Sequence, residues 1–155
     1  MSEKRYVDWN WIVNGQLAQG AYPGQHPGLF NAFDVVVYCA KEAQPRFKAP
    51  PGKAIVYCPM DDDIYRPVPD SVHRMLVERA NFCAKQASWR KRVLITCVQG
   101  KNRSGLLMGM TLLRLYPTWT PEQAVRIIRQ YRKLGGGDVA LANTMFEQHL
   151  LAKGR

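Results

Sequence analysis

The segment Ser104 to Tyr116, SGLLMGMTLLRLY, is apolar on almost every side. A helix at a protein surface keeps one polar face, so a helix without one has to be enclosed by other elements. One loop before it runs Arg92 to Cys97, RVLITC, a short β-branched stretch that reads as a buried strand. A buried strand that passes through a glycine-containing turn into a buried helix needs a sheet beside it and further helices around it.

The rest of the chain supplies both. Phe33 to Ala40 (FDVVVYCA) and Ala54 to Met60 (AIVYCPM) are two more buried-strand patterns, and Leu17 to Tyr22 reads as an earlier edge strand. The Pro-rich connection from Lys41 to Gly52 is expected to be irregular. Pro69-Asp70-Ser71 opens a helix with Asp70 as its N-cap, and Val72, Met75, Leu76, Ala80, Cys83 and Ala87 follow at helical spacing. Thr120-Pro121-Glu122-Gln123 has the form of a capping box with proline at the first helical position. That helix is expected to turn Ala124, Ile127, Ile128 and Tyr131 inward, to hold Arg126, Arg129, Arg132 and Lys133 in solvent, and to end at Gly135 to Gly137. A last helix is expected over Val139 to Leu151. Strands alternating with helices predict an α/β fold of one domain, residues 1–155, with a central mixed, mostly parallel sheet flanked by helices. The loop at the carboxyl end of RVLITC is then the expected ligand site.

Composition adds limits. The formal charge of +10 favours anionic partners such as phosphoproteins, nucleic acids or acidic membranes. Met1 to Asp8 lacks the apolar core of a signal peptide, and Lys101, Arg103 and Arg114 interrupt the only long apolar stretch. Cys39, Cys58, Cys83 and Cys97 form no Cys-x-x-Cys pair, so neither a zinc site nor a disulfide framework is expected, and a reduced, cytoplasmic protein is the simplest reading.

The turn after the third strand reads Cys97-Val98-Gln99-Gly100-Lys101-Asn102-Arg103-Ser104-Gly105. A cysteine between a strand and a helix start is favoured as a thiolate by the helix dipole and by free N–H groups. The five residues Val98, Gln99, Gly100, Lys101 and Asn102 can curl so that successive N–H groups point inward, making an anion nest at a helix N-terminus. Gly100 permits the tight turn. Arg103 returns over the bowl and offers two phosphate oxygens a planar fork. Ser104 can donate a hydrogen bond to the sulfur, which helps Cys97 leave when a phospho-cysteine is hydrolysed. Gly105 lets the helix pack close beneath the loop. Gly, Arg, Ser and Gly meet those four positions by chance on the order of once in ten thousand.

The pattern Cys-x-x-Gly-x-x-Arg-Ser-Gly, after a buried strand and before an apolar helix, resembles the signature of the protein tyrosine phosphatase superfamily, and the short chain resembles its dual-specificity branch. The resemblance implies hydrolysis of phosphate monoesters, with phosphotyrosine, phosphoserine or phosphothreonine in proteins as default substrate, through a phospho-cysteine on Cys97 and without metal or cofactor. The family has His before the cysteine; Thr96 stands there, and its hydroxyl is expected to orient the loop. The family takes its general acid from an aspartate about thirty residues upstream, which points to Asp61-Asp62-Asp63. Anchoring on Pro59 selects Asp62, whereas counting back from Pro69-Asp70 selects Asp63; Asp62 is the choice made here. Lys101 resembles the phosphoinositide 3-phosphatase branch, but Val98 replaces the companion lysine. Asn102-Arg103 resembles the loop of metazoan RNA 5′-triphosphatases, with bracing of the loop as the plainer role for Asn102. A catalytically silent phosphate-binding module is the alternative of a different class. Cys58 reads as an inert buried thiol rather than a redox partner of Cys97, and His26, His73 and His149 read as isolated. The segment Gln44 to Gly52 is expected to set the depth of the pocket.

Overall fold

The computed structural model describes residues 8–25 and 27–155. Five strands, β1 (Trp9–Val13), β2 (Leu17–Gly20), β3 (Val35–Ala40), β4 (Ala54–Met60) and β5 (Val93–Thr96), form one sheet in the order β1-β2-β5-β3-β4. Strands β2, β5, β3 and β4 run parallel, and β1 is antiparallel at one edge. Residues 17–20 are therefore the second strand in, not the edge. Asn14-Gly15 makes the hairpin that adds β1, with Gly15 at φ +73°.

Four helices follow: α1 (Asp70–Ser88), α2 (Arg103–Leu115), α3 (Pro121–Tyr131) and α4 (Thr144–Lys153). Residues Arg103 to Leu113 of α2 are all buried, as their apolar pattern requires. This helix packs on α1, α3 and α4 and lies across β2, β3 and β5. All four helices gather on one face of the sheet, where Val35, Val37, Cys39, Val93 and Ile95 meet Leu76, Leu107, Ile128 and Leu150. The opposite face buries Val36, Tyr38 and Leu94 beneath Phe30, Phe33 and the rings of Trp9 and Trp11. Trp9 meets Phe33 edge to face with centroids 4.9 Å apart. Each such aromatic ring contributes on the order of 2–3 kcal/mol by burial, so a short 3₁₀ turn (Pro27–Asn31) with an aromatic cover replaces a second helix layer.

Several boundaries differ from the sequence reading for local reasons. Pro69 is the N-cap of α1 and makes no side-chain cap bond, so Asp70 is the first helical residue and places its charge at the positive end of the helix. The capping box of α3 forms as expected, with Thr120 Oγ1 accepting from Gln123 N at 3.2 Å and Gln123 Oε1 accepting from Thr120 N at 2.8 Å. α3 stops at Tyr131 rather than at the glycines, because Arg132 leaves helical geometry at φ −80°, ψ 104°. Helix α4 begins at Thr144 rather than Val139, because Asn143 caps it by accepting from the N–H groups of Met145 and Phe146. His73 and His149, isolated in sequence, meet with ring nitrogens 2.8 Å apart, and burial and then the charge of His73 hold His149 at about 4. His26 lies outside the described residues.

Candidate active site

β5 is the central strand, flanked by β2 and β3, and the chain leaves its carboxyl end at Cys97 to enter α2 at Arg103. The main chain of the intervening loop is polarised. Val98 O accepts from Tyr22 N (3.0 Å), Gln99 O from Arg132 Nη2 (2.9 Å), Lys101 O from Leu141 N (3.0 Å) and Asn102 O from Leu106 N (2.9 Å). Gly100 O accepts twice, from Gln19 Nε2 at 3.1 Å and Arg132 Nε at 2.8 Å. The N–H groups of Val98, Gln99, Gly100, Lys101 and Asn102 donate to no acceptor among the described residues. Carbonyls tied outward leave the amides to face the hollow of the loop, which is the electrostatic form of an anion nest. Gly100 sits at φ +66°, and a Cβ there would lie 2.3 Å from the Gly20 backbone, so glycine is required twice over. A Cβ at Gly105 would meet Leu141 Cγ at 2.9 Å, which explains the close seat of α2 beneath the loop.

At the base of the loop, Cys97 is 4% exposed and its Sγ lies 3.2 Å from Ser104 Oγ. Arg103, the first residue of α2, is 5% exposed. Glu42 holds the guanidinium, Oε1 accepting from Nη1 at 2.6 Å and Oε2 from Nη2 at 3.0 Å, while Met60 O accepts from Nη1 at 3.1 Å. That hydrogen bond to Arg103 holds the Glu42 carboxyl below its ordinary value. Arg103 Nε is buried and has no partner among the described residues. A buried charged donor left open is costly unless something completes it.

The three aspartates part company in space. Asp61 is exposed and 3.9 Å from Lys41. Asp63 Oδ1 accepts from Tyr65 N at 2.8 Å and Arg66 N at 3.2 Å, closing its own turn. Asp62 reaches the loop: Oδ2 accepts from Asn102 Nδ2 at 3.0 Å and Oδ1 from Asn143 Nδ2 at 2.6 Å. Asn102 Oδ1 accepts in turn from Asn143 N at 2.9 Å, so Asn102 does brace the loop. Lys101 pairs with Asp138 at 2.8 Å, and that bond holds the Asp138 carboxyl below its usual range. An open cavity of about 740 Å³ is lined by Lys41, Glu42, Asp61, Asp62, Asp63 and Arg103. The rim is thus acidic on a chain of net charge +10, and the expected wall from Gln44 to Gly52 lines none of it.

Two expectations are corrected. Thr96 does not orient the loop, because its Oγ1 donates across the sheet to Val37 O at 2.8 Å. Arg132 is not solvated: its side chain is 0% exposed, grips the loop carbonyls and meets Asp8 Oδ1 at 3.0 Å, while Tyr131 takes the exposed position. Four residues of the site were missed. Arg132 looked like its neighbours in a three-residue arginine repeat, and Glu42 sat in an irregular connection with no pattern. Asn143 carried a helix-cap signal masked by the early helix start. Gln19 carried the plainest one, a lone amide inside the buried run LAQG. Cys39 and Cys58 adjoin each other, and burial pushes the Cys39 and Cys83 thiols up; all four cysteines are free.

No protein-family profile and no curated protein matches the sequence. Solved structures do match the fold. Human DUSP28 superposes with a TM-score of 0.71 at 16% identity, over 92% of this chain and 90% of that one. A mouse putative dual specificity phosphatase complexed with zinc tungstate gives 0.70 at 19% identity, over 92% and 84%. PTPMT1 in complex with PI(5)P gives 0.65 at 17% identity, over 96% and 99%. The chain shares the fold of these dual-specificity phosphatase structures, a mixed sheet flanked by helices.

Proposed function

We propose that residues 1–155 form one phosphatase domain that hydrolyses phosphate monoesters in phosphorylated proteins through a phospho-cysteine on Cys97. The observation that carries this reading is the loop in which the carbonyls of Val98 to Asn102 are all engaged and the N–H groups donate to no acceptor among the described residues. Such a ring of donors is complementary to the equatorial oxygens of a phosphoryl group in transfer. The open Nε of Arg103 is one further donor, and Nη2 becomes the second tooth of a fork once Glu42 yields it.

In the first step the Cys97 thiolate attacks phosphorus and the bond to the leaving oxygen breaks. Asp62, held at the rim by Asn102 and Asn143, gives that oxygen its proton after one of its oxygens releases its amide. In the second step water attacks phosphorus, Asp62 recovers a proton from it, and the P–S bond breaks with its electron pair left on sulfur. Ser104, 3.2 Å from Sγ, stabilises the departing thiolate. The nucleophile has to be a free thiol, which supports a reducing, cytoplasmic setting.

The acidic rim favours a single phosphate over a chain of them, and the pairing of Lys101 with Asp138 leaves that lysine without a spare charge for a second phosphate. Protein monoesters are therefore preferred to RNA 5′-triphosphate or phosphoinositide. Cys97→Ser is expected to abolish release of p-nitrophenol from p-nitrophenyl phosphate while still binding tungstate. Full turnover by that variant removes the reading, and tungstate binding without turnover by the wild type supports the silent module instead.

A further inference from the structure

Gln19 lies on β2 and is wholly buried. Its Nε2 donates to Gly100 O at 3.1 Å and to Ser104 Oγ at 3.2 Å. Its Oε1 is buried and accepts from nothing among the described residues. The orientation of the amide is fixed by chemistry: a carbonyl oxygen only accepts, so rotating the amide by half a turn would oppose two oxygens across 3.1 Å. An apolar side chain of similar size would avoid the unsatisfied oxygen, so packing alone does not account for an amide here.

The consequence falls on Ser104. Its hydroxyl has one proton and two places to put it. One is Cys97 Sγ, 3.2 Å away. The other is Gly100 O, four residues back, the usual partner of a serine in a helix. Gly100 O already accepts from Gln19 Nε2 and from Arg132 Nε, so both its lone pairs are in use. Ser104 Oγ also accepts from Gln19, which fixes the hydroxyl as the middle of a chain. The remaining proton is left to the sulfur. Thr96 offers no substitute, since its hydroxyl is spent on Val37 O.

We propose that Gln19 is a positioning residue that locks the Ser104 hydroxyl as a donor to Cys97 by closing its alternative acceptor and filling its acceptor site. This rests on Cys97 being the nucleophile. A donor to sulfur strengthens as negative charge returns to it, so Gln19 acts on the second half of the reaction, when the P–S bond breaks and the electron pair stays on sulfur. It touches no reacting atom itself.

The test is turnover of p-nitrophenyl phosphate by the full chain carrying Gln19→Met, Ser104→Ala or both, followed in the steady state and by stopped flow. Gln19→Met is expected to lower kcat about tenfold, the scale of a hydrogen bond to a charged group. KM falls in step, kcat/KM holds within about twofold, and a burst of p-nitrophenol equal to the enzyme appears. In the Ser104→Ala background the same change is expected to cost less than about twofold, because its route to the sulfur is already cut. The melting temperature holds, since Gly100 O keeps Arg132 and the orphan oxygen is gone. If Gln19→Met melts early, Gln19→Leu carries the same comparison. Equal falls in kcat and kcat/KM with no burst, or losses that multiply in the double variant, overturn the role of Gln19 while leaving the phosphatase reading standing. A wild type that releases no p-nitrophenol overturns both.

Discussion

At the amino ends of β3, β4 and β5, Asp34 is saturated. Its Oδ1 accepts from Lys53 Nζ at 2.8 Å, and its Oδ2 from Arg92 N at 2.8 Å and Arg92 Nε at 3.3 Å. Burial alone would raise its carboxyl, but the bonds from Arg92 and Lys53 outweigh that and hold it well below the ordinary value of 3.8. At the carboxyl ends of the same strands the accounting is reversed. Among the described residues, the loop after β5 has N–H groups without acceptors, Arg103 Nε and Gln19 Oε1 are buried without partners, and Gly100 sits at φ +66°. One end has spent its polar groups on stability, whereas the other holds them open in a rigid frame. Unsatisfied groups cluster where a ligand completes them, and this contrast is what separates a fastening from a site.

The contrast can be broken in four places. The largest effect is expected at Asp62: Asp62→Asn lowers kcat by about a hundredfold or more on alkyl phosphates and less on aryl phosphates with good leaving groups, the signature of a lost acid. If Asp63→Asn does this instead, the acid belongs to the neighbouring aspartate. At the opposite end, Asp34→Asn is expected to cost about 2 kcal/mol of stability, a value discounted because Arg92 is 39% exposed, with activity at low temperature little changed. The sign in pH follows from the depressed carboxyl. Its stabilisation is complete above about pH 4 and is lost as the pH falls from there toward the folded-state value. Urea titrations between pH 2 and 7 should therefore show an acid-side loss in the wild type that is flattened in Asp34→Asn. An unchanged acid slope would show that the fastening lies elsewhere.

Arg132→Met tests whether the frame behind the loop matters as much as its open face. It removes the donors to Gln99 O and Gly100 O, and the expected fall in kcat/KM is about tenfold, with weaker tungstate binding. A variant that binds tungstate normally would make Arg132 a structural residue only. The smallest effect is expected at Glu42. Glu42→Gln weakens the competitor on the Arg103 fork, so inorganic phosphate should inhibit about three- to fivefold more tightly, in keeping with an ion pair on an exposed partner. Weaker inhibition would mean that Glu42 aligns the guanidinium rather than competing for it.

The two ends also differed in how far they could be read from sequence. The strand, loop and helix carrying Cys97 to Ser104 were legible because their signals are contiguous: β-branched burial, then a spaced motif, then an apolar helix. Asp62 was reachable because it follows a clear strand. Arg132 was not, since an i, i+3 arginine repeat usually marks a solvated face and only the early end of α3 turns this one inward. Strand β1 was missed although Asn14-Gly15 is a hairpin signal, because its tryptophans alternate too weakly to announce a strand.

What the chain determined by itself is the local chemistry: a cysteine at a strand end, a glycine where φ must be positive, an arginine one loop later, and helices whose faces dictate a layered sheet. Those depend on neighbours within a dozen residues. Only the tertiary structure decided which distant groups complete that chemistry. Gln19, Glu42, Arg132 and Asn143 come from four separate segments and converge on one loop because β2 and β3 flank β5 and the ends of α3 and α4 close over it. Hydrogen bonds reach about 3 Å whatever the separation in sequence, so their partners are set by where the strands and helices pack, which no local pattern records.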